Sequence, residues 1–435
     1  MRMRRRTSRL LDMAASRERI DVVVVGGGQA GLATSYYLTQ QGVDHVILEQ
    51  GRVAESWRSQ RWDSFCLVTP NWTIQLPGFG YRGDQPDGFM GRDELVHYLD
   101  AYVWSFAPPL RTGVRVMSVD QGENDRFRVA AGDSMLEARA VVVATGSYRR
   151  PRIPALAGRL TPEILQLHSS TYKNPGQLPI GAVLVVGSGQ SGVQIAEELH
   201  ESGRSVFVSV SSCPRLPRRY RGRDIVWWAK TVGLFERTVD SLESPAERLA
   251  CHPQGSGRRG GHDIYLRQLA REGMTLLGRV HAIDGHRLTL AADLKENLRK
   301  ADEFVDKMLK QLDEAVAKMG MSLPEDENPR GVGAAVPHED DPILGLDLRT
   351  AAITSIIWAT GYEPDFRFVQ VPVFDQLGQP LQRRGVTATA GLYFVGLEWL
   401  HKPKSGLLLG VGEDAEHVTS VIVETSPSTS QKLEA

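Results

Sequence analysis

Two segments of this chain share one arrangement: a short β-branched run, a glycine turn and an apolar helix. They are "VVVVGGGQAGLATSYYL" (residues 22–38) and "VLVVGSGQSGVQIAEEL" (residues 183–199). A glycine triplet spaced G-x-G-x-x-G between a buried strand and a helix confines the local fold to a dinucleotide-binding unit. The first glycine allows the tight turn, the second lets the backbone approach a pyrophosphate, and the third lets helix and strand pack closely. The helix N-terminus then offers free N–H groups and a partial positive charge to phosphate. Gly26, Gly28 and Gly31 fill these roles in the first copy, with Gln29 and Ala30 opening the helix. Gly187, Gly189 and Gly192 fill them in the second, with Gln190 and Ser191.

The two copies differ beyond the helix. In the first, the strand "DHVILEQ" ends on Glu49, 21 residues after Gly28, and is followed by Gln50. A carboxylate at that distance is placed to bind ribose hydroxyls. In the second, the same count from Gly189 reaches Val210, flanked by Ser209 and Ser211, with Arg215, Arg218 and Arg219 downstream. A carboxylate there would repel a 2′-phosphate, whereas serine and arginine bind one. The second site is therefore expected to take NADPH, with Ser211 and Arg215 at the 2′-phosphate. Two such sites imply a relay in which NADPH passes a hydride to a second, tightly held cofactor. The N-terminal site is where FAD commonly binds in enzymes of this layout.

An α/β fold follows: two Rossmann-like dinucleotide-binding domains, the second inserted in the first. The expected boundaries are 20–160 and 345–425 for the FAD-binding domain and 161–344 for the NADPH-binding domain. The latter carries a charged amphipathic helix at about 291–320, read as a solvated surface helix that can pack on a neighbour. Residues 1–19, with the basic start "MRMRRRTSRLLD", and residues 426–435 are expected to be disordered tails.

A net charge of −1 gives no global pull toward nucleic acid or membrane. No apolar run approaches the roughly 20 residues that span a bilayer. A cytoplasmic location fits best. Cys66, Cys213 and Cys251 are far apart and form no CxxC pair, so neither a metal ribbon nor a redox-active dithiol is readable. No metal site is expected.

Four segments, "GGGQAG", "GSGQSG", "VVATGSYRRPRIP" and "IIWATGYEPDF", resemble the class B flavoprotein monooxygenases across residues 21–425. That group includes flavin-containing monooxygenases, Baeyer–Villiger enzymes and YUCCA-type enzymes. The stretch "WRSQRWDSFCLVTPNWTIQLPG" is similar to the group's flavin-lining loop. The resemblance implies FAD and NADPH as cofactors, O₂ as co-substrate, and oxygen transfer through a C4a-(hydro)peroxyflavin to a small molecule, by N- or S-oxygenation. A homodimer is compatible with it.

By the same resemblance, Trp57, Arg58, Trp62, Asp63, Pro70 and Asn71 line the flavin. The two turns Ala144-Thr145-Gly146 and Ala359-Thr360-Gly361 are crossings between the domains, and Gly396, Ser405 and Leu407 close the cofactor site. The closing helix is expected to start near Ser405-Gly406, its N-terminus aimed at the flavin N1–C2=O edge, with Lys402 or Lys404 adding positive charge. Arg58 is expected to pair with Asp63. Trp57, Trp62, Phe65, Trp72 and Phe79 are candidates for the pocket wall, two or three of them touching ligand, and Trp227, Trp228 and Trp399 for the substrate face. The family fingerprint F-x-G-x-x-x-H-x-x-x-[YFW] is half present: "PEILQLHSSTY" keeps His168 and Tyr172 but has Pro162 and Ile164 in place of Phe and Gly. The position that often holds Asn or His near the oxygen-reacting carbon is Val68. The catalytic candidates are therefore Asn71 and His168, the latter also readable as a core histidine.

Alternatives remain open on the residues alone. They are an NADPH oxidase or electron-donor flavoreductase releasing peroxide, Baeyer–Villiger or oxidative decarboxylation of a keto substrate, a disulfide reductase lacking the expected cysteine pair, and a non-catalytic redox sensor.

Overall fold

The computed structural model describes residues 18–244, 247–248, 250–326 and 335–426. Apart from Glu18, Arg19 and Ser426, the two expected tails lie outside the described residues. Strand β1 (Glu18–Val25) starts earlier than expected and takes in Glu18 and Arg19. Its Val22, Val23 and Val24 are fully buried, as a strand covered on both faces must be. It leads through the first glycine turn into α1 (Gln29–Gln40) and β2 (His45–Leu48). Helix α2 (Arg92–Phe106) and an antiparallel pair, Val116–Gln121 with Phe127–Ala131, precede β3 (Ser134–Val143).

The chain then crosses and builds a second unit. This holds β4 (Leu165–His168), β5 (Ala182–Val186), α3 (Gln190–Glu201), β6 (Val206–Ser209), β7 (Thr275–Leu277), the long α4 (Leu294–Met319) and β8 (Ile353–Trp358). It returns for β9 (Leu392–Phe394) and closes with α5 (Val411–Glu424).

Each unit has its own sheet, the first mixed around a parallel core and the second parallel throughout. In the first, β9, β3, β1 and β2 lie side by side and all run parallel. The second has the order β4-β8-β5-β6-β7, again all parallel. In both, the glycine turn leaves the carboxyl end of a central strand, where a doubly wound sheet opens its binding crevice.

The expected boundaries need correction. Strand β8 is central to the second sheet, and Gly345–Asp347 pairs with Arg287–Leu290 of that unit, so residues 345–358 belong to the second domain. At the other end, Ala157 and Leu160 pack in one core cluster with Ile356 and Trp358. The crossing itself is a two-stranded pair, Arg150–Pro151 against Tyr362–Glu363. A strand's register with its sheet decides domain membership, and register is not visible in a linear pattern.

The charged helix α4 is a surface helix packed on its neighbours along one face. Its Val305, Leu309, Leu312 and Val316, spaced three or four apart, pack on Tyr220 and the fully buried Trp228. Trp228 donates its Nε1–H to Tyr220 O at 2.8 Å, and Trp227 carries the Arg223 guanidinium over its ring. These two tryptophans therefore build the second domain rather than a substrate face.

Candidate functional site

Gly26 has φ +113°, and a Cβ there would lie 2.7 Å from the Ala144 carbonyl oxygen. A Cβ on Gly31 would lie 1.9 Å from Gly26 O, so helix and turn touch backbone to backbone. In front of Gly28, by contrast, nothing lies within 4 Å of the Cβ position. That open face is the approach a pyrophosphate needs. Glu49 sits beside it, its Oε2 accepting from Gly27 N at 2.7 Å and its Oε1 from Gly51 N at 2.8 Å. Each oxygen keeps a further lone pair.

A cavity of about 230 Å³ begins at this turn. Gly26, Gly28, Gln29, Ala30, Glu49 and Gln50 line it, together with Ala144, Thr145 and Gly146. Trp57, Gly396 and Leu407 line it as well. Gln29 ties the far ends together: its Oε1 accepts from Trp57 Nε1 at 3.0 Å and its Nε2 donates to Gly406 O at 3.1 Å. Gly396 is obligatory, since a Cβ there would lie 2.4 Å from that of Ala30.

Other expected members of this wall lie elsewhere. Arg58 pairs with Asp100 (Nη2–Oδ1 2.6 Å), not with Asp63. Asp63 pairs with Arg92 at 2.7 Å and accepts from Asn174 at 2.6 Å. Trp62 is buried edge-on to Phe65 in the second domain's core, Phe79 stacks on Tyr102, and Trp72 faces the Lys230 ammonium. Of the five aromatics proposed for the wall, Trp57 lines the cavity.

Asn71 is a loop fastener: Nδ2 donates to Gln85 O at 3.0 Å and Oδ1 accepts from Met90 N at 2.8 Å. Pro70 precedes it as the first residue outside a short 3₁₀ turn. Neither lines the cavity. His168 is buried; its Nδ1 accepts from Ser170 N at 3.1 Å, so Nε2–H donates to Gly361 O at 3.0 Å. Burial holds its pKa below the usual value. It fixes the second crossing turn and does not face the cavity.

The closing helix also differs. It starts at Val411, and residues 405–410 form turns before it. Ser405 Oγ accepts from Lys402 N at 3.0 Å and caps that turn. Lys402 and Lys404 do not point at the cavity; each bridges Glu236 and Glu413, with Lys404 only 7% exposed.

The sequence reading missed Arg61, Arg115, Tyr148, Arg149 and Glu398, all of which line the cavity. The only available signal was adjacency: Tyr148 and Arg149 follow the first crossing turn and Glu398 follows Gly396. The Arg61 guanidinium lies 5.0 Å from the Trp57 ring centroid and 5.6 Å from that of Phe65. Glu398 Oε1 accepts from Tyr148 Oη at 2.7 Å and lies 2.8 Å from His252 Nε2. The hydrogen bond to Glu398 raises the His252 pKa. Burial would raise the Glu398 carboxyl, but His252 and Tyr148 hold it below the ordinary value.

The second glycine turn repeats the first. Gly187 has φ +107°, with a Cβ position 2.5 Å from Ala359 O, and a Cβ on Gly192 would lie 2.0 Å from Gly187 O. Ala144 and Ala359 thus do the same work in the two domains, each setting a carbonyl against the first glycine. Thr360 O accepts from Arg152 Nε at 3.0 Å, within the crossing. Ser191 lies in the first turn of α3. Ser211 donates its N–H to Ser188 Oγ at 3.0 Å.

Arg215 lies in the same small recess as Ser211 but is engaged by Asp302 of α4 at 2.8 Å and stacks over Tyr265 at 4.2 Å. The carboxylate absent after β6 in sequence is thus brought in from 87 residues downstream. The cysteines need correction too: Cys213 and Cys251 form a disulfide, 38 residues apart in sequence with Cα atoms 5.7 Å apart. Among the described residues, no group of three His, Cys, Asp or Glu is placed to hold a metal, and no helix is long and apolar enough to cross a membrane.

Two sheets with parallel cores, each opening on a glycine turn and joined by a double crossing, define a fold of two dinucleotide-binding units. A family model described as pyridine nucleotide-disulphide oxidoreductase matches residues 23–221. A CzcO-like oxidoreductase of Geobacillus kaustophilus is 34% identical over 93% of this chain and 98% of its own length. An indole-3-pyruvate monooxygenase, YUCCA1 of Oryza sativa, is 28% identical over 68% of this chain and 76% of its own. The flavin-containing monooxygenase of Stenotrophomonas maltophilia shares the fold, with a TM-score of 0.61 at 21% identity over 94% of this chain and 99% of its own. The chain belongs to the CzcO-like oxidoreductases.

Proposed function

We propose that the chain is an FAD- and NADPH-dependent monooxygenase that places one oxygen of O₂ on a small organic substrate by N- or S-oxygenation. FAD belongs to the first cradle: the observation that carries this is the cavity running from the open face of Gly28 to Gly396 and Leu407. Gly26–Gly31 and Glu49 hold the pyrophosphate and ribose end, and Trp57, set by Gln29, orients the ring end. NADPH belongs to the second cradle, with Gly187–Gly192 at its pyrophosphate and Ser211 and Arg215 at its 2′-phosphate. The bound flavin supplies electron relay and oxygen activation; the protein supplies orientation and exclusion of water. A cytoplasmic location is part of this reading.

One observation favours a second reading. Arg61 lines the cavity, and its guanidinium donates to a neutral backbone carbonyl, Gln60 O, at 2.9 Å. A guanidinium so placed suits a carboxylate-bearing substrate, as a 2-oxo acid undergoing oxidative decarboxylation would be.

The test is NADPH consumption by the yellow holoprotein across amines, thioethers, ketones and 2-oxo acids, with peroxide and oxygen-18 incorporation measured together. Substrate-stimulated consumption with label in the product is the expected result. Unstimulated consumption with stoichiometric peroxide overturns the monooxygenase reading in favour of an oxidase, and purification without flavin overturns both.

A further inference from the structure

The two glycine turns are built alike but do not look out on the same space. In front of Gly28 the Cβ position is open, whereas at Gly189 it lies 3.5 Å from Cys251 Sγ. The segment 251–256 lies across the second turn as a strap. Gln254 Nε2 donates to Ser188 O at 2.6 Å, and the side-chain amides of Gln190 and Gln194 on α3 both donate to Gly255 O, the latter at 2.8 Å. Gln254 N donates to Pro214 O at 2.9 Å, tying the strap to the loop after β6. That loop carries Cys213, the disulfide partner of Cys251. The backbone at the second glycine is where a dinucleotide pyrophosphate must come close. The strap holds that position, and the disulfide is its one covalent tie to the opposite wall.

We propose that Cys213 and Cys251 form a redox latch over the second dinucleotide cradle, excluding the coenzyme when oxidised and admitting it when reduced. The proposal rests on the reading of that cradle as the NADPH site. The strap's hydrogen bonds exchange with water or with incoming phosphate, so they yield to a ligand; the disulfide does not.

Chemically, a thiolate of an external dithiol attacks Cys251 Sγ, since Cys251 is exposed and Cys213 is only 3% exposed. The Cys213–Cys251 bond breaks and Cys213 leaves as a thiolate that takes up a proton. The second thiol of the reductant then closes on the mixed disulfide, releasing Cys251 as a thiol. Two electrons and two protons pass to the cysteine pair, and the dithiol becomes a cyclic disulfide. Cys66, the remaining cysteine, is free and takes no part. A disulfide in a reducing compartment is characteristically transient and sensing rather than structural, which suits a latch.

The test uses the full-length protein, oxidised with diamide or reduced with tris(2-carboxyethyl)phosphine, titrated with NADP⁺ by calorimetry. Thiols are counted in denaturant on the same samples. Of three cysteines, one should titrate after oxidation and all three after reduction. The apparent Kd for NADP⁺ should be about tenfold or more weaker in the oxidised protein, because only the unlatched fraction binds. Cys213→Ser and Cys251→Ser should bind like the reduced protein under both conditions. Equal affinities in the two states of the wild type, or three free thiols after oxidation, overturn the latch. Absence of binding in every form, both variants included, overturns the coenzyme assignment itself and is a different result from equal binding.

Discussion

Tyr148 Oη donates to Glu398 Oε1 at 2.7 Å across 250 residues of sequence, and His252 Nε2 lies 2.8 Å from the same oxygen. This contact joins the first crossing, the return segment and the strap of the second domain beside the cavity of the first glycine turn. With its pKa raised beyond its unfolded value, His252 contributes stability below that unfolded value and loses the contribution as pH rises through the folded one. Glu398, with a lowered pKa, contributes above its unfolded value and loses the contribution as pH falls through the folded one. The contact is therefore strongest between the two folded pKa values. Glu398→Gln should return the His252 ring titration, followed by NMR, toward the ordinary histidine value. An unchanged midpoint would show that another group sets it.

Gly396 admits no side chain, with φ +82° and a Cβ position 2.4 Å from Ala30 Cβ. Gly396→Ala should destabilise by about 1–3 kcal/mol through overpacking. It should also shed flavin on gel filtration, because Ala30 stands at the start of the phosphate-facing helix. Retention of full flavin occupancy and an unshifted Tm would sink this account.

Asn71 holds the loop through Gln85 O and Met90 N rather than meeting substrate. Asn71→Ala should cost about 1–3 kcal/mol from the orphaned partners. Its turnover per bound flavin should stay near that of the parent protein. A collapse of turnover at unchanged Tm would restore Asn71 as a catalytic group.

Arg215 is expected at the 2′-phosphate, yet Asp302 engages it at 2.8 Å. Arg215→Ala should raise the KM for NADPH about tenfold more than that for NADH, the worth of a charge-assisted contact. Asp302→Asn should act in the opposite direction, lowering the KM for NADPH by releasing the guanidinium. Equal shifts for both coenzymes in steady-state kinetics would remove Arg215 from specificity.

Much of the first cradle was legible in the chain. The glycine spacing, the β-branched strands and Glu49 at its fixed distance are short-range patterns, and the geometry that uses them is local. The two crossing turns were legible only through the resemblance to a known family, and the carbonyls of Ala144 and Ala359 against Gly26 and Gly187 were not legible at all. What the linear pattern misplaced depends on partners far away. Asp63 finds Arg92 rather than Arg58, Lys404 finds Glu236, Asp302 comes back to Arg215, and Cys251 finds Cys213 across 38 residues. By itself the sequence determined the fold class and both glycine cradles, because strand, turn and helix preferences act over a few residues. The tertiary structure alone decided which charges are already neutralised and that a sulfur stands before Gly189. Those outcomes depend on which side chains close packing brings into contact, and no local preference encodes that.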